Sequence, residues 1–222
     1  MPNFHRTVKN ALVEEIRDEI LRGAYQPGQR LRLNDLAQRF DVSNMPVREA
    51  LRHLESEGIV TNIPHKGAYV TRLSVDEMQD IYDIRATLEA LATRLAVPRM
   101  TPATMHELER LVAAMDEQME TVATFIKLNH QFHMTLYAAS QRTHLCQLIR
   151  TLRYRMHHYM FAFKTQLGDM AQIQAEHRAI MAACAAGEAD RAARLVEAHV
   201  ASVGQAIIQH MRQAEELGDP AA

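Results

Sequence analysis

Cysteine and long apolar runs are both scarce in this sequence, and each scarcity excludes a class of protein. The 222 residues contain two cysteines, Cys146 and Cys184, which lie far apart among small and apolar neighbours. We interpret both as buried free thiols, since isolated cysteines of this kind favour neither a disulfide nor a nucleophile. No apolar run reaches the roughly 18 residues that a membrane-spanning helix needs. Charged residues also interrupt the N-terminal segment where a signal peptide would have an apolar core. We therefore expect a cytoplasmic protein without a membrane partner.

The charges and the histidines are unevenly distributed along the chain. Residues 1–73 carry 11 Lys and Arg against 9 Asp and Glu, whereas residues 74–222 carry 14 against 18 and hold nine of the twelve histidines. A chain of this length can form two modest domains. We place the boundary between residues 73 and 74. A weakly basic first domain is compatible with a nucleic-acid partner, although so small an excess does not by itself indicate one.

Helical periodicity predicts three helices in residues 1–73. Apolar residues of the first helix recur at helical spacing: Val8, Leu12, Ile16 and Ile20. Gly23 ends this helix, a short second helix begins at about Asn34, and a third begins near Ser43. The third helix has an apolar stripe and, on another side, a polar stripe. The polar stripe consists of residues four apart: Asn44, Arg48 and Arg52.

After Gly58 the pattern changes to two short extended runs, residues 59–63 and 68–73, joined by a turn at residues 64–67. This pattern is typical of a β-hairpin. Together with the three helices it predicts a winged helix-turn-helix. In that fold the third helix enters the major groove of double-stranded DNA, and the wing touches the backbone or the minor groove. The pattern leaves one alternative open, a small structural α+β unit with a solvated charged face.

Three stretches of the first domain resemble the GntR superfamily of transcription regulators. They are PGQRL at 27–31, DLAQRFDVSNMPVREALRHLESEGIV at 35–60 and HKGAYV at 65–70. The rest of the chain resembles the FCD ligand-binding domain of the FadR-like branch. This resemblance implies a homodimeric repressor or activator that binds an inverted-repeat operator and responds to a metabolite. It also implies a set of DNA-contacting positions: Ser43, Asn44, Arg48, His65, Lys66 and Gly67. We add Arg52, which belongs to the same polar stripe as Arg48.

Asn44 departs from the family pattern at a position that contacts a base. Most members of the family have an Arg there, and that Arg reads a guanine. An Asn side chain instead matches the N6 and N7 atoms of adenine. We therefore expect the operator of this protein to differ from the usual family sequence at that base.

Residues 74–222 contain no credible strand, so the predicted fold class is mainly α: a winged helix-turn-helix followed by an all-helical bundle. Six helices are predicted, roughly at 74–97, 101–119, 122–139, 142–164, 169–186 and 188–216. Apolar residues lie along one side of the first: Ile81, Ile84, Leu88, Leu91 and Leu95. Arg85 is adjacent to that side, where an Arg is commonly ion-paired near the surface. The resemblance implies instead that Arg85 grips a small carboxylate effector in bidentate fashion.

The histidines of the second domain include a candidate metal site. His133, His177 and His199 lie on three different predicted helices, and Asn129 precedes His133 by one turn on the same face. A histidine on a helix face is more often solvated or hydrogen-bonded than a metal ligand, so the spacing alone does not decide. FCD domains commonly carry Asp or Asn four residues before a His, and one His on each of the last two helices. The resemblance therefore implies that these four residues bind one divalent transition metal per chain. Zinc is our first expectation, and nickel and manganese are the alternatives.

Two other functional classes compete with a regulator. A di-iron enzyme would need paired Glu-x-x-His motifs, which this chain does not have. A helical adaptor whose wing binds protein instead of DNA is the alternative that stays open. We predict a non-enzymatic, sequence-specific DNA-binding regulator that responds to a small organic acid, with repression as the expected sign of regulation.

Overall fold

The computed structural model describes residues 3–118, 122–162 and 170–216. The chain divides into two units, one of Met1–Leu73 and Tyr154–His158, the other of Ser74–Arg153 and Tyr159–Pro220. The described residues are mainly helical and contain one small antiparallel sheet, which lies in the first unit. This architecture confirms the predicted fold class. None of the described helices is long and apolar enough to cross a membrane.

The first unit contains three helices and a three-stranded sheet. Its elements are α1 (Asn3–Leu21), β1 (Arg30–Leu31), α2 (Leu33–Arg39), α3 (Asn44–Ser56), β2 (Val60–Ile63) and β3 (Gly67–Val70). β3 lies at the centre of the sheet and is antiparallel to both β1 and β2. Ile16 of α1, Leu36 of α2 and Leu54 of α3 are almost completely buried in one apolar core. This shared core holds α3 beside the β2–β3 hairpin.

The burial of α3 follows the predicted stripes. Ser43 occupies the N-cap with an extended backbone, and Pro46 lies in the first turn, where the missing N–H costs nothing. The buried side is apolar: Pro46, Val47, Ala50, Leu51 and Leu54. The polar stripe is exposed. α3 therefore packs through one side and presents its charged side chains on the other.

β1 departs from the prediction, which had no strand between α1 and α2. Two residues are too few for a strand periodicity to appear in the sequence. The strand forms because Gly28, at φ +76, allows the chain to turn, and its N–H donates to the carbonyl oxygen of Val70 at 2.9 Å. The predicted extended runs at 59–63 and 68–73 correspond to β2 and β3, although β3 already ends at Val70.

The described residues from Ser74 onward contain the six predicted helices. They are α4 (Val75–Ala96), α5 (Pro102–Glu117), α6 (Val122–Ala138), α7 (Thr143–Ala162), α8 (Met170–Ala185) and α9 (Ala189–Glu216). A 3-10 turn, Val97–Arg99, occupies the predicted break between α4 and α5. The predicted gaps at 120–121 and 165–168, and the predicted helix ends at 119, 164 and 169, lie outside the described residues.

α4 begins with a complete capping box. The Ser74 hydroxyl accepts a hydrogen bond from the Glu77 N–H at 3.2 Å, and the Glu77 carboxylate accepts one from the Ser74 N–H at 2.9 Å. α4 then packs along α9, where Gly204 allows close approach. A Cβ atom at Gly204 would lie 2.5 Å from Cγ of the buried Tyr82.

The buried side of α4 is not the apolar side that the sequence suggests. Ile81 is buried, but Ile84 and Leu91 are 49% and 40% exposed. The buried positions include Arg85 and Glu89, which are polar. The two charged side chains compensate each other there, and Glu89 also accepts hydrogen bonds from Tyr137 on α6 and Arg153 on α7.

Candidate functional site

The predicted DNA-contacting residues all lie in the first unit. On α3 and its N-cap the exposed ones are Ser43, Asn44, Arg48 and Arg52. His65 and Lys66 are exposed at the turn between β2 and β3, and Gly67 begins β3. Arg48, Arg52 and Gly67 line one groove of about 560 Å³, whereas the other four lie outside its lining.

Asn44 has a side-chain partner that the sequence analysis missed. Its amide Nδ2 donates to Oδ1 of Asn34 at 3.1 Å, and both side chains are exposed. Asn34 lies in the short helix α2. This bond occupies one of the two N–H groups of the Asn44 amide and leaves its other N–H and its oxygen. Those are the donor and the acceptor that a bidentate contact with adenine requires.

In the second unit the three predicted histidines meet. His133 on α6, His177 on α8 and His199 on α9 are buried, and each offers a ring nitrogen within 4.8 Å of the others. Three different helices thus bring their imidazoles together. Asn129 lies one turn before His133 on α6 and is 5% exposed.

The hydrogen bond of His133 fixes which of its ring nitrogens is protonated. The Tyr137 hydroxyl donates its single hydrogen to Oε2 of Glu89 at 2.5 Å. The same hydroxyl oxygen lies 3.0 Å from Nδ1 of His133 and must therefore accept a hydrogen from it. A neutral imidazole with its hydrogen on Nδ1 has a lone pair on Nε2.

The same assignment holds for His177. The Gln174 amide donates to the Val112 carbonyl at 3.2 Å and to the Asp116 carboxylate at 2.8 Å, so its oxygen is the atom that faces His177. Nδ1 of His177 donates to that oxygen across 2.7 Å. The lone pair of His177 is therefore on Nε2.

His199 completes the pattern. Its Nδ1 lies 2.7 Å from a carboxylate oxygen of Glu176, which can only accept a hydrogen. In the neutral form of each ring these contacts leave the lone pair on Nε2, the nitrogen that could coordinate an ion. Partners of this kind orient metal-bound histidines and increase their basicity.

Burial keeps the imidazoles of His133 and His177 neutral. Desolvation, followed by the charge of Arg153, lowers the pKa of His133 well below its ordinary value. Desolvation, followed by the neighbouring His199, does the same to the pKa of His177. The hydrogen bond from His199 in turn lowers the pKa of Glu176. The rings of His133 and His177 are thus in the protonation state that a metal ion needs.

Arg85 lies within a buried ionic network. Its Nε donates to Oε1 of Glu89 at 2.7 Å, and its guanidinium lies 4.9 Å from the ring centre of Tyr82. Nη1 of Arg153 donates to the other oxygen of Glu89 at 2.9 Å. Glu89 is fully buried, but the two guanidinium groups overcome its desolvation and lower its pKa to about 2. The Tyr137 hydroxyl joins this network to His133.

The sequence analysis did not identify Glu89, Tyr137 or Arg153. A signal existed for the first two, since Glu89 follows Arg85 by four residues and Tyr137 follows His133 by four. Arg153 comes from α7, 64 residues from Glu89, and has no local signal.

The donor set fits a divalent transition metal. Oδ1 of Asn129 and Nε2 of His177 are buried and have no hydrogen-bond partner among the described residues. Leaving such atoms unsatisfied is costly unless a ligand accepts their lone pairs. Three neutral imidazoles and an amide oxygen suit borderline first-row ions better than calcium or magnesium, which prefer more oxygen ligands.

An exposed, charged helix beside a hairpin, together with a helical unit that gathers histidines around a buried point, defines a class: two-part regulators with a winged helix-turn-helix and a sensor domain. Residues 8–70 match the family of bacterial regulatory proteins called gntR, and residues 80–202 match the FCD domain. The chain belongs to the GntR family and carries an FCD domain.

Relatives agree with this assignment. The Nta operon transcriptional regulator of Aminobacter aminovorans is 31% identical over 86% of this chain and 90% of its own length. The transcriptional repressor GlaR of Escherichia coli is 31% identical over 83% and 89%. The solved structure of McbR/YncC from E. coli has a similar fold, with a TM-score of 0.80, 24% identity and coverage of 94% and 98%. The family consists of DNA-binding transcription regulators and not of enzymes, so neither alternative class is retained.

Proposed function

We propose that this protein is a metabolite-responsive repressor that binds an inverted-repeat operator as a homodimer. A small carboxylate effector binds its helical unit beside one divalent metal ion, held by Asn129, His133, His177 and His199. The observation that carries this proposal is the hydrogen bonding of the three histidines. Each Nδ1 has a hydrogen-bond partner, which leaves Nε2 as the nitrogen available to an ion on three buried rings that each offer a nitrogen within 4.8 Å of the others.

The charges around this point favour an anionic effector. Arg85 and Arg153 carry two positive charges and share the single carboxylate of Glu89. A bound ion would add positive charge and a Lewis-acidic position for a carboxylate oxygen. A buried excess of positive charge is costly unless an anion offsets it. We therefore propose that Arg85 binds the carboxylate of the effector, which competes with Glu89 for the guanidinium. Zinc is the first candidate ion, and nickel and manganese are the others.

An apolar stripe on α4 supports the homodimer. Ile84 and Leu91 are 49% and 40% exposed, and Leu88 and Leu95 on the same side are half-buried. Large apolar side chains at regular helical spacing are typical of a face that packs against another chain. A second copy of α4 would cover this stripe in a two-fold dimer, and the symmetry of the dimer would match an inverted repeat.

Elemental analysis tests the metal site. Protein purified without an affinity tag or chelator should contain about one ion per chain. The double variant His133→Ala, His177→Ala should lose it, whereas the control His106→Ala, His144→Ala, which removes two exposed histidines of the same unit, should keep it. Wild-type protein that takes up no added zinc, nickel or manganese would overturn the metal assignment.

Sedimentation equilibrium tests the dimer. Ile84→Glu with Leu91→Glu should convert the protein to a monomer, because two charges would be buried at the interface. Leu148→Glu is the matched control, since Leu148 is an equally large exposed apolar residue on α7 at 58% exposure. A dimer that persists in the α4 variant would contradict the assigned interface.

Selection of binding sites from random duplexes tests the operator. We expect an inverted repeat. Arg48→Ala should weaken binding to it by about 1 to 3 kcal/mol, and Lys66→Ala should mainly reduce the salt dependence of binding. Unchanged operator affinity in the Arg48→Ala protein would contradict the placement of α3 as the recognition helix.

A further inference from the structure

The groove of the first unit is lined by four arginines, of which the recognition helix supplies only two. Arg48 and Arg52 come from α3, and Arg30 and Arg32 come from β1 and the residue after it. The groove has a volume of about 560 Å³ and also includes Asn62 on β2 and Gly67 on β3. It therefore joins the exposed face of α3 to the base of the wing.

The short strand β1 determines the direction of these two additional side chains. Leu31 is 3% exposed and packs into the core, while Arg30 and Arg32 on either side of it are exposed. Successive side chains of an extended segment point to opposite sides, so burial of Leu31 turns both arginines outward. β1 pairs with β3, and this pairing aligns Arg30 with Tyr69.

Gly67 brings Arg30 close to the wing. Gly67 has φ +99, and a Cβ atom there would lie 3.7 Å from Nη2 of Arg30. The guanidinium of Arg30 thus lies against the backbone where β3 begins, one residue after Lys66. Basic side chains therefore lie on α3, on β1 and at the turn of the wing.

The groove arginines differ from other arginines of the same unit in their partners. Arg17 pairs with Glu57 at 2.8 Å, Arg22 with Glu15 at 3.8 Å, and Arg39 with Glu19. The four groove arginines form no salt bridge with any residue in the described ranges. The groove lining also contains Asp35 and Glu55, so four positive charges face two negative ones.

We propose that Arg30 and Arg32 bind phosphates of the DNA backbone, so that β1 is a third DNA-contacting element beside α3 and the wing. The inference rests on binding of DNA by α3. A groove with a net positive charge and uncommitted guanidinium groups is complementary to a polyanion, and a guanidinium matches a phosphate in bidentate geometry. Phosphate contacts fix the register of the protein on the duplex without reading its sequence.

Binding to a mixed-sequence duplex of about three helical turns tests this proposal without knowledge of the operator. Fluorescence anisotropy would give Kd between about 50 and about 200 mM salt for wild type and for Arg30→Gln with Arg32→Gln. Each phosphate contact contributes about 0.9 to the slope of log K against log salt, so the double variant should lose about 1.8 for each chain that contacts the duplex. Its affinity should fall by about tenfold or more.

Two further variants make the result specific. Arg22→Gln with Arg191→Gln removes the same charge from exposed arginines outside the groove and should keep the wild-type slope. Arg30→Lys with Arg32→Lys retains the positive charge and should keep most of the wild-type slope. The sites selected from random DNA should be the same for the Arg30, Arg32 glutamine variant and wild type, since phosphate contacts carry no sequence information.

Three results would overturn the inference: a wild-type slope in the Arg30, Arg32 glutamine variant, an equal loss in the control, or a change in the selected sites. If the proposed function itself fails, the result is different: the wild-type protein then binds neither the mixed-sequence duplex nor any site selected from random DNA.

Discussion

Removal of the Glu89 charge should destabilise the protein more than any other single carboxylate-to-amide change in the described part of the second unit. Glu89 is fully buried and accepts hydrogen bonds from Arg85, Arg153 and Tyr137 at 2.7, 2.9 and 2.5 Å. Glu89→Gln preserves the shape of the side chain. It leaves two buried guanidinium groups without their counter-charge and replaces one acceptor oxygen by an N–H2 donor.

Two independent estimates give the size of the effect. The two arginines lower the pKa of Glu89 from 4.5 to about 2 against the effect of burial, and this shift corresponds to about 3 kcal/mol at neutral pH. Loss of one partner of a buried ion pair costs about 3 to 5 kcal/mol in general. We therefore expect Glu89→Gln to lower the free energy of unfolding by about 3 kcal/mol.

Equilibrium urea denaturation at neutral pH, followed by far-ultraviolet circular dichroism at matched protein concentration, measures this difference. Glu107→Gln is the control. Glu107 pairs with Arg110 on the exposed side of α5, and its loss should leave stability nearly unchanged. Because the folded-state pKa is lowered, the stabilisation by Glu89 is present above about pH 4.5 and is lost as the pH falls towards 2. A loss below about 1 kcal/mol, or equal losses for both variants, would refute the buried network.

Three further predictions concern the other sites. Asn44→Arg should change the base selected at one position of each half-site from adenine to guanine, and identical selected sites for both proteins would contradict the role of Asn44. Gly204→Ala should lower Tm, because a Cβ atom 2.5 Å from Cγ of the buried Tyr82 puts the cost of overpacking in the upper part of its usual range of about 1 to 3 kcal/mol, above the roughly 1 kcal/mol gained in helix propensity. Burial lowers the pKa values of His133 and His177, so that, as the pH falls, these two histidines take up protons in the unfolded chain before they do so in the folded protein. Urea denaturation of chelator-treated protein should therefore show stability falling below about pH 6.5, by up to about 1.4 kcal/mol per pH unit for each histidine, and a flat profile would oppose this.

Local periodicity was sufficient to predict most of the fold. The stripe that buries Val47, Leu51 and Leu54 appears directly in the sequence, and so do the six helices of the second unit. β1 could not be predicted, because a two-residue strand exists only through its pairing with β3. The buried side of α4 could not be predicted either, because the groups that compensate the charge of Glu89 there include Tyr137 on α6 and Arg153 on α7, which are distant in the sequence.

The candidate metal site shows the same division between local and long-range information. The four-residue interval between Asn129 and His133 is visible in the sequence, but the meeting of three helices was implied only by family resemblance. The groups that orient the rings were partly visible, as Glu176 precedes His177 and Gln174 lies one turn before it. Glu176 accepts a hydrogen bond from His199 and not from its sequence neighbour His177. This pairing follows only from the packing of α8 against α9.

The most direct test of the account is the effect of carboxylates on DNA binding. Kd for a duplex carrying the selected inverted repeat would be measured for zinc-loaded protein with a panel of short mono- and dicarboxylates. We predict that at least one carboxylate raises Kd about tenfold or more, a coupling of about 1.4 kcal/mol. The Arg85→Ala protein and the His133→Ala, His177→Ala protein should bind the duplex without this response. A carboxylate response that persists in both variants, or a neutral compound as the only effector, would contradict the account.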